Sequence, residues 1–349
     1  MRSYCSMTDP EHVPLLIAGA GPIGLACAIS AQRRGIRHLV VDAGAIAASI
    51  VRYPVGMTFF TTPERLEIGG HPLTCAGAKA TREEALKYYR GVVRADGLNV
   101  RTYTRLLGAQ RRAGRLECLL RAPTGPCVIT CDRLIVATGY FEHANLLNVP
   151  GEQLPHVSHW FDEAHLSSGL DVVVVGGKNS AVEAALQCFR AGARVTLAYR
   201  GQTLKPSVKF WLRPDLENRI AAGEIATRFG TEVVEITPGH VVLRDGNGTV
   251  EHVPAGRVYA LTGYHPDFDL LAAVGVGCDA VTGRPALDSE TLQTNVPGIY
   301  LAGSVGAGRN ISEVFIENGR FDGEKILGDA ASRQHAERLY AESPRPVGE

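Results

Sequence analysis

The stretch Val13-Pro14-Leu15-Leu16-Ile17-Ala18-Gly19-Ala20-Gly21-Pro22-Ile23-Gly24 decides the fold. Its apolar run predicts a strand over residues 13–18, its glycines a tight turn, and the following residues 25–35 a helix. Glycine is required at this turn because the backbone must bend sharply, approach a pyrophosphate with no Cβ in the way, and seat the helix closely on the strand. The first N–H groups of the helix are unpaired and carry partial positive charge, which suits phosphate oxygens. A second strand over residues 38–41 ends on Asp42, 23 positions after Gly19, where an acidic side chain holds a ribose hydroxyl. A glycine pattern alone marks only a tight turn. Strand, turn, helix and terminal acid together mark a dinucleotide site, with Gly19, Gly21, Pro22, Ile23, Gly24 and Asp42 as its expected contacts.

The same grammar returns downstream. Residues 170–175 form a β-branched run, 176–180 a turn, 181–191 a helix and 193–198 another strand. This second turn, Gly176-Gly177-Lys178-Asn179-Ser180-Ala181, carries lysine where the second of three glycines is expected. The ammonium suits a phosphate, and a solvated surface lysine is the plain alternative. Arg200 stands at the end of the second strand of this unit, where units that bind NAD carry an acid. A cation there favours a 2′-phosphate, hence NADPH; an ordinary surface arginine is the alternative.

Two endings also repeat. Val136-Ala137-Thr138-Gly139-Tyr140 follows a hairpin predicted over residues 115–121 and 126–135, and Tyr259-Ala260-Leu261-Thr262-Gly263-Tyr264 closes the second unit. After it come a strand over 298–302, a glycine-rich turn with Gly303 and Ser304, and a helix from about Ser312. The expected fold is α/β, with two Rossmann-like, three-layer ββα dinucleotide-binding domains. Residues 151–264 form one domain, inserted into another made of residues 1–150 and 265–349, whose tail after about Ala331 is charged and expected to be loosely held.

Length fits two domains, since a chain of 349 residues exceeds most single cores. Lys and Arg total 36 against 36 Asp and Glu, and no charged block stands out along the chain, which argues against nucleic acid or a charged membrane surface as partner. The first residues hold no apolar run of signal-peptide length and no segment reaches the ~20 apolar residues of a membrane span, so a cytoplasmic location is expected. Eight scattered cysteines read as reduced and mostly buried thiols. His156, His159 and His165 lack a carboxylate or cysteine to complete a ligand set, so no metal is expected.

The chain resembles the two-dinucleotide flavoproteins of the thioredoxin-reductase type, and most closely the bacillithiol-disulfide reductase (YpdA) family. The resemblance runs over nearly the whole chain: GPIGLACA from Gly21, YPVGMTFFTTPERLEIGG from Tyr53, NLLNVPGE from Asn145, VVVVGGKNSAVEAAL from Val172, SVKFWLRPDLENRI from Ser207, LTGYHPDF from Leu261 and FIENGRF from Phe315. It implies FAD on the first unit and NADPH on the second. The flavin ring would lie near Met57, Thr58 and Thr61 and near the helix starting at about Ser312, with Thr138, Gly139, Gly303 and Ser304 as further contacts. Gly176, Gly177, Lys178, Asn179, Ser180, Ala181, Arg200, Lys209, Thr262 and Gly263 would serve NADPH. Asn310 and Glu313 fit an N-terminal capping box, and a helix N-terminus aimed at the flavin would favour negative charge on its reduced form.

One departure bears on chemistry. Family members that act as disulfide reductases carry cysteine immediately before the third glycine of the first turn, and here that position is Ile23. Nor is there a Cys-x-x-Cys pair. Cys127 and Cys131 share a strand face but lie ~13 Å apart, too far for a disulfide; Cys118 faces Cys131 across the hairpin as a structural pair; Cys27, one turn into the first helix, is a redox thiol only as a minor reading. The expected activity is hydride transfer from NADPH to FAD and on to a small-molecule acceptor such as a low-molecular-weight disulfide, in a homodimer or higher homo-oligomer. Three alternatives stay open. Gly151, His156 and Trp160 approximate a flavin-monooxygenase fingerprint; electrons pass directly to a quinone or ferredoxin; or the protein is a non-catalytic flavin-binding sensor or assembly partner.

Overall fold

The computed structural model describes residues 10–311 and 313–342. Two compact units emerge. The first takes in residues 10–51, Gly56–His143 and residues 264–342, and the second Arg52–Val55 with Ala144–Gly263.

The first unit begins with strand β1 (Glu11–Ala18), helix α1 (Pro22–Arg33) and strand β2 (His38–Val41), followed by helix α2 (Arg82–Ala95). Thr81 caps α2 through a reciprocal box with Glu84, which satisfies two otherwise orphaned donors. Strands β3 (Val100–Arg101), β4 (Arg105–Arg112), β5 (Arg115–Ala122) and β6 (Gly125–Val136) complete the unit's first passage. The sheet runs β3-β2-β1-β6-β5-β4. β6 plays two parts because it is twelve residues long. Its first half pairs antiparallel with β5, while its second half lies parallel between β1 and a late strand.

The second unit holds strands β7 (Val157–Ser158) and β8 (Asp171–Val175), helix α3 (Asn179–Arg190), strand β9 (Arg194–Tyr199), helix α4 (Arg213–Ala221) and strand β10 (Ile225–Phe229). Strands β11 (Thr231–Ile236), β12 (His240–Asp245) and β13 (Val250–Pro254) form a separate antiparallel sheet, and β14 (Arg257–Ala260) returns to the parallel one, whose order is β10-β9-β8-β14-β7. β8 is Val172–Val175 almost throughout and is buried on both faces, as a central parallel strand covered by two layers should be.

The chain then re-enters the first unit with helix α5 (Phe268–Ala273) and strand β15 (Ile299–Leu301), which pairs with the second half of β6. Helices α6 (Ile316–Gly319), α7 (Asp322–Leu327) and α8 (Ala330–Glu342) close it. Two expectations change here. The helix expected from about Ser312 starts at Ile316, and Ser312 itself lies outside the described residues. The tail expected to be loose from Ala331 is helical to Glu342, with Ala336 fully buried.

The neutral total also hides a local surplus of cation. β4–β6 present Arg105, Arg112, Arg115 and Arg121 to solvent, and the register sets Arg105 opposite Arg121 and Arg112 opposite Arg115. Like charges facing across a ladder disfavour the pairing. Glu142, Glu117 and Asp132 offset three of the four by pairing with Arg105, Arg112 and Arg115. Among the described residues no helix is long and apolar enough to cross a membrane.

Leu16 is fully buried in β1 between β2 and β6, whereas Leu119 on β5 is 45 % exposed. Leu16→Ala should therefore lower unfolding stability by ~2–5 kcal/mol, and Leu119→Ala by under ~0.5 kcal/mol, in urea titrations followed by circular dichroism. Equal effects would contradict this placement of the core.

Candidate functional site

The first glycine turn is built by close approach. A Cβ on Gly19, which has φ +117°, would lie 2.3 Å from the carbonyl oxygen of Ala137, and one on Gly24 would lie 1.9 Å from the carbonyl oxygen of Gly19. Both glycines are therefore steric necessities. A Cβ on Gly21 would meet nothing within 4 Å, so the turn is open on the side where a pyrophosphate approaches. No side chain caps α1, and Pro22 at its start has no N–H to leave unpaired. Asp42 braces the turn: its Oδ2 accepts from Ala20 N at 2.6 Å and its Oδ1 from Gly44 N at 2.7 Å. Desolvation raises the Asp42 carboxyl, opposed by these two N–H donors.

Strand ends bring the remaining predicted groups to the same edge of the sheet. β1, β6 and β15 deliver Gly19, then Thr138 with Gly139, then Gly303 with Ser304, through N–H bonds from Ala137 to Ala18 and from Ala302 to Val136. Ser304 Oγ lies 3.7 Å from where a Cβ of Gly139 would stand. The Thr138 hydroxyl is buried and has no hydrogen-bond partner among the described residues. Such a group is costly to leave unpaired and fits a ligand oxygen. An open turn, an uncapped helix and an orphaned hydroxyl together fit FAD, which supplies hydride chemistry when bound.

The segment from Met57 is divided. The Met57 carbonyl accepts from Arg82 N, Thr58 bridges Thr81, and Phe59 N donates to Ala80, so this part is tied to the start of α2. Thr58 is exposed, and nothing places it at the site. Phe60 instead packs edge-on to Phe315, and the buried Thr61 hydroxyl bonds Glu317 on α6. The expected capping box of Asn310 and Glu313 is a side-chain bond of 2.7 Å, while the Phe315 N–H at the start of α6 is met by Asn318 Oδ1 at 2.8 Å.

Ile23 fills a slot made by absent side chains: its Cδ1 lies 2.6 Å and 2.7 Å from the positions a Cβ would take on Gly303 and Gly319. Cys27 is fully buried, and desolvation together with the nearby charges of Asp322 and Glu324 raises its thiol well above the ordinary value. That is the opposite of redox activation. Cys118 and Cys131 sit 3.7 Å apart, sulfur to sulfur, as buried free thiols.

Two buried carboxyls escaped sequence reading. Glu317 and Asp322 are raised chiefly by desolvation, and Asp322 reaches about 7 while its Oδ2 accepts from Gly303 N at 2.6 Å. Nothing local distinguishes them, because their partners lie far away in sequence.

The second turn repeats the first device. A Cβ on Gly176 would lie 2.6 Å from the Leu261 carbonyl oxygen and 2.8 Å from Ala181 Cβ. Gly177 underlies the ring of Tyr199, whose Cε1 stands 2.5 Å from the missing Cβ. No side chain caps α3. Lys178 at its N-cap is lowered by desolvation and by the charge of Lys205, so two cations converge beside the uncapped helix. Arg200 is exposed and has no ion pair or hydrogen bond among the described residues. An uncapped helix flanked by Lys178, Lys205 and a free guanidinium fits the phosphates of NADPH.

Three predicted contacts are otherwise engaged. The Thr262 hydroxyl donates to the Asn145 carbonyl at 2.6 Å, the Gly263 carbonyl accepts from Asn145 N, and Asn179 spends its side chain on the loop 207–209. Gly151 has φ +82° and packs where any Cβ would stand 1.7 Å from the Ile236 carbonyl oxygen, and the His156 carbonyl accepts from Val258 N. Packing accounts for Gly151. His159 Nε2 lies 3.4 Å from Glu152 Oε1, and among the described residues no group of three or more ligating side chains could hold a metal.

Two phosphate-ready turns, one braced by a carboxylate and the other flanked by cations, define a two-dinucleotide flavoprotein oxidoreductase using FAD and NADPH. The chain belongs to the pyridine nucleotide-disulphide oxidoreductase family, whose profile matches residues 16–303. It is 41 % identical to the bacilliredoxin reductase Bdr of Bacillus subtilis over 320 residues, 92 % of this chain and 98 % of that protein. The bacillithiol disulfide reductase Bdr (YpdA) of Bacillus cereus superposes with a TM-score of 0.88 at 40 % identity, covering 94 % of this chain and all of that one. Thioredoxin reductase of T. acidophilum shares the fold, with a TM-score of 0.71 at 20 % identity over 95 % of this chain and 99 % of that one.

The buried carboxyl of Asp322 yields a signed test. Its folded pKa of about 7 exceeds the ordinary value of ~4, so its cost to stability grows between ~4 and ~7 and is constant above. Asp322→Asn keeps an oxygen for the Gly303 N–H and abolishes the titration. Its melting temperature relative to the parent holoprotein should be more favourable at about pH 8 than at about pH 5, by an amount worth a few kcal/mol. A difference that does not vary with pH would assign the titration elsewhere.

Proposed function

We propose that this protein is an NADPH-dependent reductase of a low-molecular-weight thiol disulfide of the bacillithiol kind, in which electrons leave the flavin without passing through a protein thiol. Support comes from full-length likeness to two reductases named for bacilliredoxin and bacillithiol disulfide, combined with Ile23 in its slot between Gly303 and Gly319. The net reaction consumes one NADPH and one proton, breaks one S–S bond and releases two thiols. When bound, FAD accepts hydride from NADPH and passes two electrons on.

The chain's own groups supply position and charge. Asp42 and the α1 turn seat the adenosine and pyrophosphate of FAD, and Thr138 and Ser304 meet its remaining polar atoms. Lys178, Lys205 and Arg200 draw the phosphates of NADPH to α3. Among the described cysteines, Cys127 and Cys278 are exposed and Cys75 half-buried, while Cys27, Cys118, Cys131 and Cys188 are buried.

The decisive measurement is anaerobic reduction of the bound flavin by NADPH, followed by separate additions of bacillithiol disulfide, a quinone and a ferredoxin. Rapid reoxidation by the disulfide alone is expected. Iodoacetamide applied to the NADPH-reduced protein should leave disulfide turnover unchanged; inactivation together with labelling of one cysteine would reveal a thiol relay. Failure of NADPH to bleach the flavin would support the sensor reading instead.

Nucleotide choice gives a further test. Arg200→Ala should weaken NADPH binding by ~1.5–3 kcal/mol, roughly 10- to 150-fold, with NADH almost unchanged. Lys205→Met should shift the same preference by a smaller factor. Equal losses for both nucleotides would remove the 2′-phosphate from these side chains.

A further inference from the structure

Asp322 is the first residue of α7 and is buried, 6 % exposed. Its Oδ2 accepts from Gly303 N at 2.6 Å, a bond between residues 19 positions apart. The charge of Lys325, one turn further along α7, favours the ionised carboxyl, which in turn opposes ionisation of the buried Cys27 thiol on α1. A carboxyl is expensive to bury, and a well-packed apolar side chain often serves stability as well or better. What the carboxyl adds is one fixed geometry for its partner N–H.

The turn at Gly303 is fastened on three sides. Ala302 N donates to the Val136 carbonyl at 2.9 Å, continuing the pairing of β15 with β6. Gly303 itself has φ +76°, and Cδ1 of Ile23, in the first turn of α1, stands 2.6 Å from where its Cβ would be. Asp322 supplies the third hold, from a helix packed backbone to backbone on α1. A Cβ on Gly323 would lie 2.9 Å from Cys27 Cα, while Glu324 accepts from Ser30 Oγ at 3.0 Å and pairs with Arg34. α7 is thus fixed on the middle of α1 and reaches from there to the turn.

The residue after Gly303 is Ser304, whose Oγ lies 3.7 Å from where a Cβ of Gly139 would stand. Gly139 follows Thr138, whose buried hydroxyl has no hydrogen-bond partner among the described residues. The Gly303–Ser304 turn and the Thr138–Gly139 loop therefore meet at the sheet edge that carries the α1 turn. We infer that Asp322 is a positioning residue for FAD: through Gly303 N it sets the Gly303–Ser304 turn against the bound cofactor. The inference deepens the proposed function and rests on its assignment of FAD to the first unit. That assignment gives adenosine and pyrophosphate to Asp42 and the α1 turn, which leaves the ribityl-flavin half to Thr138 and Ser304.

The test uses the full-length chain freed of flavin and two ligands, FAD and ADP, which has the adenosine and pyrophosphate but not the ribityl-flavin half. By calorimetry, Asp322→Ala should weaken FAD by roughly 5- to 50-fold, as expected when a buried N–H loses its acceptor, and leave ADP within about twofold of the parent chain. Asp322→Asn keeps an oxygen for Gly303 N and should hold FAD within about threefold. Ser304→Ala should weaken FAD by a smaller factor and add little on top of Asp322→Ala, as expected if Asp322 acts through the turn. Asp322→Ser, too short to reach Gly303 N, takes the place of Asp322→Ala if that chain does not fold. Equal losses for FAD and ADP, unchanged FAD binding in Asp322→Ala, no rescue by Asp322→Asn, or additive losses with Ser304→Ala would overturn the positioning role. Asp42→Ala tests the underlying assignment separately: it should weaken both ligands, and if it changes neither, the seat of FAD on the first turn fails and the positioning role with it.

Discussion

Everything in this chain hangs on contacts too close for a side chain. In the first unit the carbonyl oxygen of Ala137 presses on Gly19 and that of Gly19 on Gly24. In the second, the carbonyl oxygen of Leu261 presses on Gly176, which in turn meets Ala181. The pressing residue in each case sits at the end of a parallel strand and is followed by Thr-Gly, with the glycine at positive φ. The repeated endings of the sequence thus have one physical cause: each is the wedge that closes a glycine turn from the neighbouring strand. A helix seated this tightly aims its uncapped N–H groups at one point, which is what a pyrophosphate requires.

The two copies differ where the ligands differ. The first keeps a carboxylate beside its turn, leaves the Thr138 hydroxyl unpaired and has no cation at the second glycine. The second places Lys178 there, commits the Thr262 hydroxyl to the Asn145 carbonyl, and sets the charge of Lys205 against Lys178, with no carboxylate paired to Lys205 or Arg200 among the described residues. A converging pair of cations is unfavourable by itself and becomes favourable once a phosphate enters. Under the proposed assignment, the like charges beside the second turn suit the more anionic nucleotide.

Elements governed by local rules were legible in the sequence. The glycine turns, the β-branched strand Val172–Val175 and the hairpin of β5 and β6 follow from backbone sterics and short-range pattern, and the structure carries them within a few residues. β4 escapes the sequence pattern because its register shifts between Leu106 and Gly108, which breaks the alternation that betrays a strand. α8 reads as a loose tail because it buries little beyond Ala336, although its Ala, Glu, Arg and Gln content favours helix. Asn179, expected to contact NADPH, commits its amide to the loop 207–209, a role set by residues thirty positions away. Asp322 and Glu317 were invisible for the same reason, since a buried carboxyl is defined by what covers it.

Ile23 carries the consequence for chemistry. A thiol relay needs a sulfur that the acceptor can reach and whose thiolate is favoured by nearby positive charge or a helix N-terminus. The start of α1 offers such a place, and Ile23 occupies it with a branched side chain that fits because Gly303 and Gly319 have none. Moving the thiol one turn along the same helix does not restore the relay. Cys27 is there, but it is closed off from water and flanked by Asp322 and Glu324, whose charges oppose its ionisation. The region around α1 thus opposes a thiolate, which is why the proposed function has the disulfide meet its electrons at the flavin rather than at Cys27.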